Sequence, residues 1–165
     1  MEPGEALGIA AQIAVALAGF AGVVVIFRSS SVHEWSPPDK LRLRFLLVNS
    51  TLPLGLCMVG LLLLTIKPMP PGIWRWCSAF AFVVSLLVAI TTTKMFRRLD
   101  LRQIQRERAT RFVFYLFGTL GTAALLLQLY NALFLDAFWP FFAAIVFQLV
   151  TAMFQFARMI LLPPE

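Results

Sequence analysis

Apolar residues along this chain are concentrated in long runs separated by short polar connections. A helix needs about 20 such residues to cross a hydrocarbon core roughly 30 Å thick. The run over 6–27 carries no charge between Glu5 and Arg28. The run over 45–66 is uncharged until Lys67, and that over 74–93 holds only Arg75 near its start before Lys94. The remaining apolar material, 112–162, contains just Asp136 and Arg158. As one helix it would be about 76 Å long at a rise of about 1.5 Å per residue, far too long for one crossing. It must fold back, and "YNALFLDAFWP" says where, because Asn131, Asp136 and Pro140 cluster there between two blocks long enough to span. The pattern predicts a tight helical hairpin, with spans at 112–132 and 138–162 and Asp136 in the turn at headgroup level.

The predicted fold class is therefore all-α, a polytopic integral membrane helical bundle of five transmembrane helices forming a single membrane domain over 1–165. Composition agrees. The chain is 60% hydrophobic and 13% charged, against about 45–50% and 25% for soluble domains. The first run is not read as a cleaved signal peptide, since Glu2 and Glu5 precede it and the cation, Arg28, follows it.

Charge then orients the spans. Arg28, Lys40, Arg42 and Arg44 fall in one connection; Lys94, Arg97, Arg98, Arg102, Arg106, Arg108 and Arg111 fall in the basic loop 94–111; Arg158 lies near the C-terminal end of the last run. With five alternating spans these twelve of the fourteen cations share one side, leaving Lys67 and Arg75 opposite. Positive charge is retained on the cytoplasmic side, so the N-terminus is expected outside and the C-terminus in the cytoplasm. Trp74, Trp76, Tyr130 and Trp139 then sit at the outer ends of their spans, where amphipathic rings prefer to lie.

The most basic stretch, "RRLDLRQIQRERATR", is accordingly a topology determinant first. Arg97, Arg98, Arg102, Arg106 and Arg108 are candidate contacts for anionic headgroups, worth about 1 kcal/mol each near the surface. No nucleic acid is expected, because the run interleaves no aromatic residue with its cations. Its composition favours helix, so the third and fourth spans are expected to continue beyond the membrane. In the connection before the second span, Asp39 after Pro37-Pro38 is expected to cap the helix.

Catalytic chemistry is hard to find. No span interior contains Asp, Glu, Lys or His, the groups that proton-coupled carriers keep at depth. His33, the one histidine, stands beside Glu34 without a cysteine nearby, so neither a zinc site nor a His-activated nucleophile is assembled. Cys57 and Cys77 are expected at different depths, as packing residues and not a disulfide. No enzyme activity, metal or other cofactor is expected.

What remains is polar and uncharged. At about 100° per residue, Gln148, Thr151, Gln155 and Arg158 fall within roughly 80° of arc on the fifth span. Such a stripe is either interhelical hydrogen bonding or the lining of a polar pathway. Asn49 and Gln128 likewise need partners in an apolar setting. Ala14, Ala18 and Gly22, spaced every four, form a candidate packing seam, within the chain or between copies. The functional expectation is a non-enzymatic membrane subunit or accessory protein of a bacterial inner membrane. Its partners would be lipid headgroups and other membrane-protein subunits or itself. The alternative is a small oligomeric channel or transporter using the fifth-span stripe.

Overall fold

A computed structural model describes residues 1–27, 37–66, 71–98 and 108–161. Its order is α1 (Pro3–Phe27), α2 (Pro37–Thr65), α3 (Ile73–Arg98), α4 (Arg108–Tyr130), a short π-helical segment π1 (Asn131–Leu135) and α5 (Phe138–Leu161). Among the described residues five segments are long and apolar enough to cross a membrane: Pro3–Ile26, Asp39–Thr65, Ile73–Lys94, Tyr115–Leu135 and Phe138–Leu161. The chain is a multi-pass, all-α membrane protein.

Local chemistry explains most of the boundaries. Prolines open α1 and α2 and stand in the first turn of α5, where a missing N–H costs nothing because those donors have no intrahelical acceptor. Glu5 and Asp39 lie in first turns, where a carboxylate meets the positive end of the helix dipole. At the far end of α2 the Ile66 N–H donates to Leu63 C=O at 3.3 Å, tightening the last turn. The helix α3 runs past Lys94 to Arg98, and α4 begins at Arg108, so both extend beyond their apolar segments as expected.

Two expectations are corrected in α2. The helix begins at Pro37, eight residues before the apolar run, and so takes Lys40, Arg42 and Arg44 into its first turns. Asp39 consequently sits inside the helix and does not precede it as a cap. Its carboxylate instead accepts from Arg42 Nη1 at 2.9 Å, one turn along, and both side chains are largely buried. Two prolines tolerate helical φ in a first turn, which is why they start the helix and do not hold it off.

The chain divides into two compact units, Met1–Pro70 with Ile145–Glu165, and Pro71–Ala144. In the first, α1 packs on α2. The buried residues of α1 are Ala6, Leu7, Ala10, Ala14, Leu17 and Ala21, a stripe about 100° wide at helical spacing. Those of α2 include Leu46, Ser50, Pro53, Leu56 and Cys57. Gly4 lies near Leu64, with Leu64 Cδ1 3.9 Å from where a Cβ would stand, so the start of α1 meets the end of α2. Phe20 stacks on Phe156 at 5.2 Å in the same unit. In the second unit α4 and π1 pack on α3. Trp74 covers Phe138 and Phe141, with ring centroids 4.8 and 6.1 Å away.

Candidate functional sites among the polar residues of the helices

The densest polar arrangement is the hairpin between α4 and α5. Asn131 is fully buried, and its side-chain amide bonds to Ala137 as a peptide group would: Nδ2 donates to the Ala137 C=O at 2.9 Å and Oδ1 accepts from the Ala137 N–H at 3.0 Å. The same Nδ2 donates to Ser78 Oγ on α3 at 2.7 Å. Behind it, the Asp136 N–H donates to Asn131 C=O at 3.2 Å, the five-residue closure that makes this turn π-helical. Asp136 adopts a left-handed conformation, φ 50° and ψ 44°, which Asp tolerates better than most residues.

Asp136 also acts at a distance. Its Oδ1 accepts from the Arg75 N–H at 3.0 Å, so a turn residue between α4 and α5 caps the first turn of α3. The N–H groups there are otherwise served by Gly72, whose C=O accepts from Arg75 and Trp76 at 3.0 and 3.2 Å. Gly72 has φ 74°, a conformation that side chains other than glycine's disfavour. A carboxylate at a helix N-terminus is doubly favoured, by charge-assisted bonding and by the dipole. One turn below the hairpin, Gln128 Nε2 donates to Pro140 C=O at 2.6 Å. Its Oε1 is buried without a hydrogen-bond partner among the described residues.

Most other polar side chains in the spans bond to their own helix. Asn49 Nδ2 donates to Phe45 C=O at 2.9 Å, Ser50 Oγ to Leu46 C=O at 2.8 Å, and Thr51 Oγ1 to Leu47 C=O at 2.8 Å. Thr93, Thr119, Thr122 and Thr151 do the same to carbonyls three or four residues back. The partner that Asn49 requires is therefore its own main chain, and that of Gln128 is the start of α5.

On α5, Gln148 and Thr151 are buried, and Gln155 and Arg158 half-buried. The Gln155 Oε1 is buried with no hydrogen-bond partner among the described residues. The Arg158 guanidinium lies over the Phe154 ring one turn back, 5.9 Å from its centroid, within the range of a cation–π contact. The seam residues separate. Ala14 is buried, Ala18 half-buried and Gly22 exposed, with no atom within 4 Å of where a Gly22 Cβ would stand. A four-residue step advances about 40° around a helix, so two steps carry Gly22 off the face that meets α2. The contact follows Ala10, Ala14, Leu17 and Ala21 instead.

Arg97 and Arg98 end α3 and Arg108 begins α4; Arg102 and Arg106 lie outside the described residues. Cys57 and Cys77 are free, buried thiols. Among the described residues no three His, Cys, Asp or Glu side chains gather.

Sequence reasoning identified Asn131 and Asp136 as turn residues but missed that they reach α3. Ser78 gave no signal, being one serine in an apolar run. The one available cue was an aspartate five residues after an asparagine at the end of an apolar helix. No protein-family model, no curated protein and no solved structure matches this chain.

Proposed function

We propose that this chain is a non-enzymatic membrane subunit or accessory protein of a bacterial inner membrane, its N-terminus outside and its C-terminus in the cytoplasm. Its basic side contacts anionic headgroups or a partner subunit. The observation that carries this reading is where the polar groups of the helices point. Asn49, Ser50, Thr51 and Thr151 bond to their own helix, and Asn131 and Gln128 close the α4–α5 hairpin. These groups shape helices and turns, as expected of a scaffold. The one-sided distribution of twelve cations supports the orientation.

Two measurements test it. Single cysteines at Pro71 and Gln103 should be reached by an impermeant reagent from outside and only after permeabilisation, respectively; the reverse pattern overturns the orientation. Purified protein in proteoliposomes should pass neither ions nor small polar solutes.

A second reading, a small oligomeric channel or transporter, is supported by the α5 stripe, where the Gln155 Oε1 is buried with no hydrogen-bond partner among the described residues. A flux present in the wild type and abolished by Gln155→Leu would favour it over the first.

A further inference from the structure

The π1 end of the second unit carries an unusual concentration of exposed apolar side chains. Leu133, Phe134 and Leu135 of π1 are 56%, 67% and 39% exposed, and in the helical turns flanking the unit's connections Trp76 is 70%, Trp139 58% and Tyr130 50% exposed. Tyr130 and Phe134 lie against one another, 5.3 Å between centroids. In a turn projecting into water, such a surface would be costly.

The polar groups of the same turn are bonded within the unit, Asn131 at a buried position and Asp136 at a half-exposed one. Asn131 is spent on Ser78 and Ala137, Asp136 accepts from the Arg75 N–H, and the Asp136 N–H is bonded to Asn131. A turn entering a low-dielectric region needs its main-chain groups satisfied internally, and here the Asn131 C=O, the Asp136 N–H and both main-chain groups of Ala137 are bonded within the turn. The Arg75–Asp136 bond also supplies a depth marker, since it puts the hairpin apex level with Arg75, an exposed cation. Leu133 and Phe134 precede Asp136 by three and two residues and so lie on the span side of the apex, within π1. Tyr130, a ring that favours the boundary between headgroups and acyl chains, lies against Phe134, and the exposed Trp76 and Trp139 stand in the first turns of α3 and α5.

We propose that the α4–α5 hairpin is immersed in the bilayer, with Phe134 and Leu133 seated among the upper acyl chains of the leaflet and Arg75 marking the headgroups. The occupant of this surface is lipid. It continues the lipid-facing surface of the span Tyr115–Leu135, of which π1 is the last part. The inference holds whichever side of the membrane the hairpin faces.

The test is nitroxide labelling of the full chain in phosphatidylcholine vesicles, using Phe134→Cys, Leu133→Cys and Arg75→Cys, with the unsubstituted protein as the control for its two buried cysteines. Collision with oxygen reports lipid, and collision with a water-soluble nickel chelate reports solvent. Labels at 133 and 134 should give an oxygen-to-nickel ratio several-fold above that at 75, with the mobility of a lipid-facing site. A ratio at 133 and 134 equal to or below that at 75 overturns the proposal in favour of a water-exposed turn. Labels immobile and shielded from both reagents overturn it in favour of a protein partner, and spin–spin broadening in that case identifies a second copy. Helicity by circular dichroism confirms that each variant is folded, and agreement between 133 and 134 guards against a local effect of one label.

Discussion

The carboxylate of Asp136 and the main-chain N–H of Arg75 meet at 3.0 Å although 61 positions separate them in sequence. Helix α3 thereby receives its side-chain cap from a different part of the chain. Replacing Asp136 with Ala removes the cap and places a less tolerant residue at φ 50°. The expected loss is about 1–2 kcal/mol, and Asn, which accepts a hydrogen bond and tolerates the left-handed region, should recover most of it. Reversible unfolding by sodium dodecyl sulfate in mixed micelles measures both variants; equal stability of Asp136→Ala and wild type would refute the capping role.

Asn131 is the more heavily committed residue. Truncation to Ala leaves the Ala137 N–H and C=O without their side-chain partner and opens a cavity at a fully buried position. A cost of about 2–4 kcal/mol follows from buried groups losing their bonds. Ser78→Ala should cost less, about 1 kcal/mol, since only one bond is removed. In a double-mutant cycle the two effects should fall short of additivity by about 0.5–1.5 kcal/mol; strict additivity would mean that the 2.7 Å contact carries no energy.

Gln128 yields the opposite expectation. One of its amide groups is bonded and the other, Oε1, is buried without a hydrogen-bond partner among the described residues. Gln128→Leu removes both the gain and the penalty, so the change in stability should stay within about 1 kcal/mol of zero. A loss above about 3 kcal/mol would reveal a role for the amide beyond its bond to Pro140.

Hydroxyls bonded to their own helix should likewise be dispensable. Thr122→Val and Thr93→Val each remove one bond to a carbonyl that the helix itself already engages. Both should lie within about 0.5 kcal/mol of wild type by the same unfolding measurement.

On α1, Ala14→Leu forces a large side chain into a fully buried position against a packed neighbour and should cost about 1–3 kcal/mol. Gly22→Leu meets no atom within 4 Å and should be tolerated. If Gly22→Leu proves as damaging as Ala14→Leu, or changes the oligomeric state in detergent, the ridge through Gly22 is occupied by another chain.

The number and approximate positions of the five apolar helices were legible in the sequence because each depends on a property of its own residues, whereas their lengths were not, α2 beginning eight residues before its apolar run. A run of about 20 apolar residues is helical in lipid wherever it lies, since no other open structure satisfies its main chain there. The reversal at Asn131 to Pro140 was legible for a similar reason: the preceding run is too long for one crossing. What the sequence left open was the direction of each polar side chain. Asn49 and Asn131 are the same residue type near helix turns, yet one bonds to Phe45 in its own helix and the other to Ser78, 53 positions away. Only the packing of α4 and π1 on α3 brings Ser78 within reach, and only the closing turn at Asp136 aims that carboxylate at α3. The seam on α1 followed the same logic. Small residues every four are visible in the sequence, but which of them meets α2 depends on how the helix is rotated, and that is decided by the whole buried stripe and not by three of its members.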